Sequence, residues 1–244
     1  MNRYNLLDSL RGMAIVSMVI YHAVWDLYYI FSVNVPFFES ELGTLWQQSI
    51  LWSFVLLSGF CWSFSRKNLK RGTIVYLASW VVTGVTALFM RENLILFGVL
   101  SFIGSAMLLT IPLNKLFLKI DPLIGILASA VLFAVSFKAM TGEIGLGSLS
   151  VALDDGMYNG YFMAYLGFPF PSFQSSDYVP IIPWIFLYWT GYFLEKLFKR
   201  QEILKYLKGF KIEPFAFLGK HSLIIYMAHQ PIVYGILHLC FNIG

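Results

Sequence analysis

Long apolar runs, broken by short polar connections, make up most of this chain. Runs long enough to cross a bilayer, or nearly so, fall at about 6–31, 44–64, 73–90, 94–113, 122–138, 179–197 and 215–239. They predict an all-α fold, a polytopic transmembrane helical bundle of about seven spans, forming one integral-membrane domain over residues 1–244. Polar positions inside the runs are few and patterned. In the first run Arg11 and His22 are offset by only ~20° around the helix and stand ~16 Å apart along it. Asp8 and Asp26 fall within ~60° of the same stripe. A charge at the bilayer centre costs at least ~2.5–3.5 kcal/mol, so such a stripe turns inward and marks a site by default.

Composition strengthens this picture. Hydrophobic residues make up 58%, charged residues only 12%, and the mean hydropathy is +0.70, values foreign to a soluble domain. The sequence pI near 9.0 could suggest nucleic acid, but the positive charges lie between apolar runs and form no nucleic-acid patch. The connections 66–72, 114–121 and 198–214 hold most of them. With Arg3, Arg11, Lys196 and Lys220 at the same helix ends, 15 of the 17 basic residues fall on one side, leaving Arg91 and Lys138 opposite. By the positive-inside bias that side is cytoplasmic, so the N-terminus is expected inside and the C-terminus outside. The expected location is a cell membrane, crossed several times, with the lipid bilayer as partner.

Several other classes find no support. The first apolar run lacks a small-residue cleavage pattern, so no signal peptide is evident. Cys61 falls toward the inner end of the second helix and Cys240 toward the outer end of the last, too far apart for a disulfide, and two unrelated cysteines make no metal framework. No internal repeat points to a duplicated transporter. Gly142 to Gly147 has the glycines of a phosphate loop but no following Lys-Ser/Thr. The long connection 139–178, rich in Gly, Asp and aromatic residues, is expected outside, with re-entry into the membrane left open.

Each polar group has two readings. Asp26 lies one turn beyond His22, the spacing at which a carboxylate holds one imidazole nitrogen and leaves the other to accept a proton or attack a carbonyl. The alternative is a packing histidine with Asp26 at the interface. Arg11 either binds an anion or pairs with Asp8 at the helix end. Arg66, Lys67, Lys70 and Arg71 signal topology and could also hold phosphates. In the last run Ser222, Tyr226 and His229 form a second stripe beside Pro231, at a depth comparable with that of His22. Two histidines at one depth suggest one cavity. Asp177, Tyr178 and Trp184 lead into the sixth run, either as a cap with an interfacial Trp or as the outer mouth of a site.

Certain motifs carry a family resemblance. Leu7-Asp8-Ser9-Leu10-Arg11-Gly12 followed by Met18-Val19-Ile20-Tyr21-His22 is similar to the opening helix of acyltransferase 3-like membrane enzymes, where an Arg and a His are separated by ten residues. Phe54-Val55-Leu56-Leu57-Ser58-Gly59-Phe60 resembles their second-helix element. The runs Phe97 to Gly104, Asp177 to Trp184, and His221 to Pro231 look most like the heparan-alpha-glucosaminide N-acetyltransferase catalytic family. The resemblance implies acyl transfer, an acetyl group passing from cytoplasmic acetyl-CoA to a sugar or lipid-linked acceptor on the far face. With the polar stripes read as above, His22, Asp26 and His229 are the expected catalytic residues. Arg11, Arg66, Lys67, Lys70, Arg71 and Tyr226 would contact the donor, and Asp177, Tyr178 and Trp184 the acceptor. A transporter or lipid-binding protein, in which the same stripes line a path, is the rival; either allows a homo-oligomer.

The charge asymmetry generates a direct prediction. Single cysteines at Lys67 and Gln201, in a cysteine-free background, should resist an impermeant thiol reagent in intact cells, whereas those at Glu41 and Ser150 should react. The reversed labelling pattern would invert the orientation.

Overall fold

The computed structural model describes residues 4–209 and 211–242; Arg3, counted above with the inner basic residues, lies outside the described residues. Regular structure there is almost all helical. The helices are α1 (Asn5–Tyr29), α2 (Glu41–Cys61), α3 (Asn68–Phe89), α4 (Val99–Phe117), α5 (Pro122–Ser136), the short α6 (Gly160–Leu166), α7 (Trp184–Arg200), the short α8 (Phe215–Lys220) and α9 (Ser222–Asn242). A minimal hairpin of β1 (Glu143–Ile144) and β2 (Val151–Ala152) pairs antiparallel, Glu143 opposite Ala152. Among the described residues, five helical segments are long and apolar enough to cross a membrane: Asn5–Tyr29, Asn68–Phe89, Val99–Phe117, Pro122–Thr141 and Ser222–Phe241. A helix also occupies each of the other two predicted positions. There α7 has only 17 residues, with Glu195, Lys196, Lys199 and Arg200 among them, and α2 is diluted by Thr44, Gln47 and Gln48.

Helix boundaries depart from the hydropathy pattern where local chemistry overrides it. Lys70 and Arg71, expected in a connection, lie in the first turn of α3. Residues 179–183 are not helical, because Pro180 and Pro183 interrupt the run and α7 starts only at Trp184. The last run, expected as one helix, is two: α8 ends at His221, whose ring Nδ1 stands 2.9 Å from the Phe217 carbonyl, and α9 starts at Ser222.

The chain forms two compact units, Met1–Phe54 with Gln201–Gly244, and Val55–Arg200. In the first, α1 packs on α8 and α9. The contact with α8 is backbone on backbone. A Cβ on Gly12 would lie 1.9 Å from the Phe215 carbonyl oxygen, and one on Gly219 would lie 1.8 Å from that of Asp8. Only glycine permits this approach. Ser9, fully buried, adds a bond that its hydroxyl accepts from the Ile212 N–H at 3.1 Å. Ile15, Met18 and Ile50 form the apolar core beside it, and the Trp46 indole donates to Ser17 Oγ at 2.9 Å.

The second unit pairs α3 with α4 and α5 with α7. Ser129 on α5 and Thr190 on α7 share a hydrogen bond of 3.0 Å. Asp121 caps α5 through the Leu123 N–H and meets the Arg200 guanidinium at 2.6 Å. The segment before α7 is stitched to the entrance of α4. Ser175 Oγ accepts from the Leu96 N–H at 3.0 Å and donates to the Leu96 carbonyl at 2.8 Å, while Asp177 accepts from the Val99 N–H at 3.4 Å.

The glycine crossing makes a testable contrast. Gly12→Ala should cost at least about 1–3 kcal/mol of stability, the usual cost of overpacking. Gly235→Ala, where an added Cβ meets nothing within 4 Å, should change it by no more than about 1 kcal/mol. Unfolding in detergent measures both, and equal effects would deny the crossing its role.

Candidate functional site

Four polar side chains converge in the first unit, two from α1 and two from α9. His22 is half-buried, with its ring centroid 4.8 Å from that of His229 and tilted by 56°. Tyr21 stands edge-on to it at 5.8 Å. Thus the structure brings together the two histidines that sequence depth had matched. Asp26 has no exposed surface, and its Oδ1 accepts a hydrogen bond of 2.7 Å from Gln230 Nε2. The carboxylate therefore bonds across the helices to Gln230, where the i+4 spacing had suggested His22. An amide on α9 needs an acceptor at this depth, and the short Asp side chain supplies one.

The tautomer of His229 follows from its partner. Its Nδ1 lies 2.6 Å from the Tyr226 carbonyl oxygen. A carbonyl only accepts, so Nδ1 carries the proton and Nε2 keeps its lone pair. Nε2 is buried without a hydrogen-bond partner, as are Asp26 Oδ2 and Gln230 Oε1. Buried polar atoms are normally satisfied, and exceptions are places to look for ligand chemistry. All three atoms are acceptors, so each would be satisfied by an N–H or O–H donor.

The other anticipated residues are distributed as follows. Arg11 Nη1 pairs with Asp8 at 3.2 Å and reaches the Gly219 carbonyl at 3.5 Å, so its guanidinium links α1 to α8. The Tyr226 ring lies 5.5 Å from that of His229, beside the histidine pair. Arg66, Lys67, Lys70 and Arg71 are exposed in the second unit, where no side chain caps the start of α3. Asp177 receives the Val99 N–H, and the Tyr178 hydroxyl donates to the Ala164 carbonyl. Trp184 is buried against Phe133 and Phe137 at 5.6 and 6.2 Å, so its ring packs the start of α7 against the end of α5. Gln230 is the residue that sequence reading overlooked. Its signal was an amide inside an apolar run, adjacent to His229 and Pro231.

Geometry alone leaves the reaction class open, and the family decides it. The protein-family model described as heparan-alpha-glucosaminide N-acetyltransferase, catalytic, matches residues 3–231. The chain belongs to that family. No curated protein and no solved structure matches it. As a member of the heparan-alpha-glucosaminide N-acetyltransferase catalytic family, it is a membrane acetyltransferase. The matched region takes in α1 and α9 as far as Pro231, and so contains all four converging side chains.

Removing one partner of the buried bond should be visible in stability. Gln230→Ala leaves the Asp26 carboxylate without its donor and should cost about 1–3 kcal/mol. Asp26→Ala combined with Gln230→Ala should cost less than the sum of the two single changes. Strict additivity in unfolding measurements would show that the two side chains do not interact.

Proposed function

We propose that residues 1–244 work as one multi-pass domain of about seven spans in the cell membrane, N-terminus inside and C-terminus outside. It transfers acetyl from cytoplasmic acetyl-CoA to a glycan or lipid-linked acceptor on the far face. A wider kinship with acyltransferase 3-like enzymes fits the Arg11 and His22 spacing. The observation that carries the reading is the imidazole pair, with His229 Nε2 buried and without a hydrogen-bond partner.

The donor thioester supplies an activated acetyl carbon; this chain supplies binding and proton handling. Its phosphates suit Arg66, Lys67, Lys70 and Arg71, four exposed cations within six residues at the uncapped start of a 22-residue helix. Arg11 and Tyr226 remain part of the proposed donor contacts, and Asp177, Tyr178 and Trp184 of the acceptor side. At the imidazoles an N–H or O–H nucleophile must lose its proton as it attacks. His229 Nε2 is the group with the free lone pair to take that proton and then return it to the leaving sulfur. The Tyr226 carbonyl stabilises the imidazolium by keeping its bond from Nδ1–H. His22, ring to ring with His229, shares this work as a second base or as a transient acyl carrier. Asp26 orients the acceptor N–H or O–H through Oδ2, while Gln230 holds the carboxylate in place.

Transfer from labelled acetyl-CoA, measured in reconstituted membranes against a panel of amine and hydroxyl acceptors, tests the activity. His22→Ala and His229→Ala should each lower turnover at least ~100-fold, the lower end of general-base contributions, with CoA affinity nearly intact. Normal turnover in both would remove the pair from the mechanism. Lys67→Gln with Lys70→Gln should weaken CoA binding by about 1.5–3 kcal/mol, the worth of a charge-assisted bond. Lys205→Gln with Lys208→Gln should do much less, and equal losses would indicate a diffuse positive field.

A further inference from the structure

The hairpin that follows α5 carries an apolar surface which neither the fold nor the proposed chemistry uses. Between Glu143 and Asp154 lie ten uncharged residues, Ile-Gly-Leu-Gly-Ser-Leu-Ser-Val-Ala-Leu. Such a run is too short to span a bilayer and of a length that suits interfacial segments. Within it Leu146 is 53% exposed, Leu149 82% and Val151 66%. These are large apolar side chains pointing away from the protein.

Their depth is set by hydrogen bonds. The Gly145 N–H donates to the carbonyl of Val135 at 2.8 Å, so the hairpin folds back beside the penultimate residue of α5. The reversal needs glycine at this position: Gly145 has φ +135°, and a Cβ there would lie 2.4 Å from the Leu149 carbonyl oxygen. The Glu143 N–H donates to the Lys138 carbonyl at 3.3 Å, and the Tyr158 hydroxyl donates to that of Ala139. The hairpin thus stands level with the end of a segment, Pro122–Thr141, long and apolar enough to cross a membrane. The outward face of α5 is itself apolar, through Leu127, Val131 and Leu132. The exposed leucines of the hairpin follow directly on that apolar helix.

The flanking charges fit the same placement. Lys138 and Glu143 neutralise each other at 3.4 Å, and Asp154 and Asp155 follow on the exposed side of the run. The β1 and β2 pairing satisfies part of the backbone internally, as a segment leaving bulk water requires.

We propose that residues 144–153 form an interfacial anchor, with Leu146, Leu149 and Val151 seated in the headgroup and upper acyl region of the leaflet at which α5 ends. The occupant of the apolar face is phospholipid.

The test uses the full chain with Cys61→Ala and Cys240→Ala, carrying Leu149→Cys or Val151→Cys labelled with a fluorophore, in phosphatidylcholine nanodiscs. Nitroxide lipids with the spin label high on the acyl chain, within the ~5–10 Å reached by interfacial segments, should quench most of the emission. Iodide in the aqueous phase should quench little of it, and a label at Asp155→Cys should give the opposite pattern. Quenching by iodide without quenching by nitroxide lipid overturns the proposal. Protection from both quenchers also overturns it, since a protein surface, such as a second copy, would then cover the leucines. Both labelled side chains are exposed, so neither replacement removes a buried contact, and either position alone gives the reading.

Discussion

A carboxylate with no exposed surface, set in an apolar helix, is tolerable only if the protein itself supplies a donor. Asp26 finds it in the Gln230 amide at 2.7 Å. That bond spans α1 and α9 at the depth of the histidines, so it fixes how the two helices face one another. His22 and His229 come ring to ring as a consequence, one turn from the carboxylate on α1 and one residue from the amide on α9. The Tyr226 carbonyl then settles which nitrogen of His229 holds its proton. A single interhelical bond therefore organises both the placement of the imidazoles and the polarity of the space they face.

The second unit offers a different kind of chemistry. Its exposed cations gather where α3 begins, suited to anions and carrying no proton-transfer group among them. At the far ends of α3 and α4 the order comes from Ser175 and Asp177, which return to tie down the backbone from Leu96 to Val99. Thr86 joins in by accepting the Ile95 N–H at 3.1 Å. Loop backbone that would otherwise lack partners near a membrane is thereby satisfied by side chains, a requirement as strict for connections as for spans.

Much of this was legible in the chain. Apolar length placed a helix at each of seven positions, and the polar stripes on the first and last runs named three of the four converging side chains. What escaped has a physical cause in each case. Gln230 was invisible because a stripe analysis ranks ionisable groups above amides, although at membrane depth an amide needs a partner just as firmly. The division of the last run into α8 and α9 leaves hydropathy unchanged, since the break at His221 is a local matter of a ring nitrogen near a carbonyl. The partners of Trp184, Phe133 and Phe137, lie about fifty residues away in sequence, so its packing could not be read from its place after two prolines. Arg11 showed both its readings in sequence, and its bond to Asp8 was the one that spacing alone could specify.

The glycine crossing of α1 and α8 has a mechanical side. Where two backbones touch with no side chains between them, there is no layer of rotamers to shear, so neither helix can slide or turn against the other without breaking van der Waals contact. The pair behaves as one stiff bracket. At His221 α8 gives way to α9, so α9 is not a continuation of the same regular helix. Any rearrangement that moves His229 relative to His22 would have to break the Asp26–Gln230 bond between α9 and α1, while α1 and α8 keep their backbone contact. The imidazole on α1 belongs to the bracket, and the one on α9 keeps its place beside it through the Asp26–Gln230 bond.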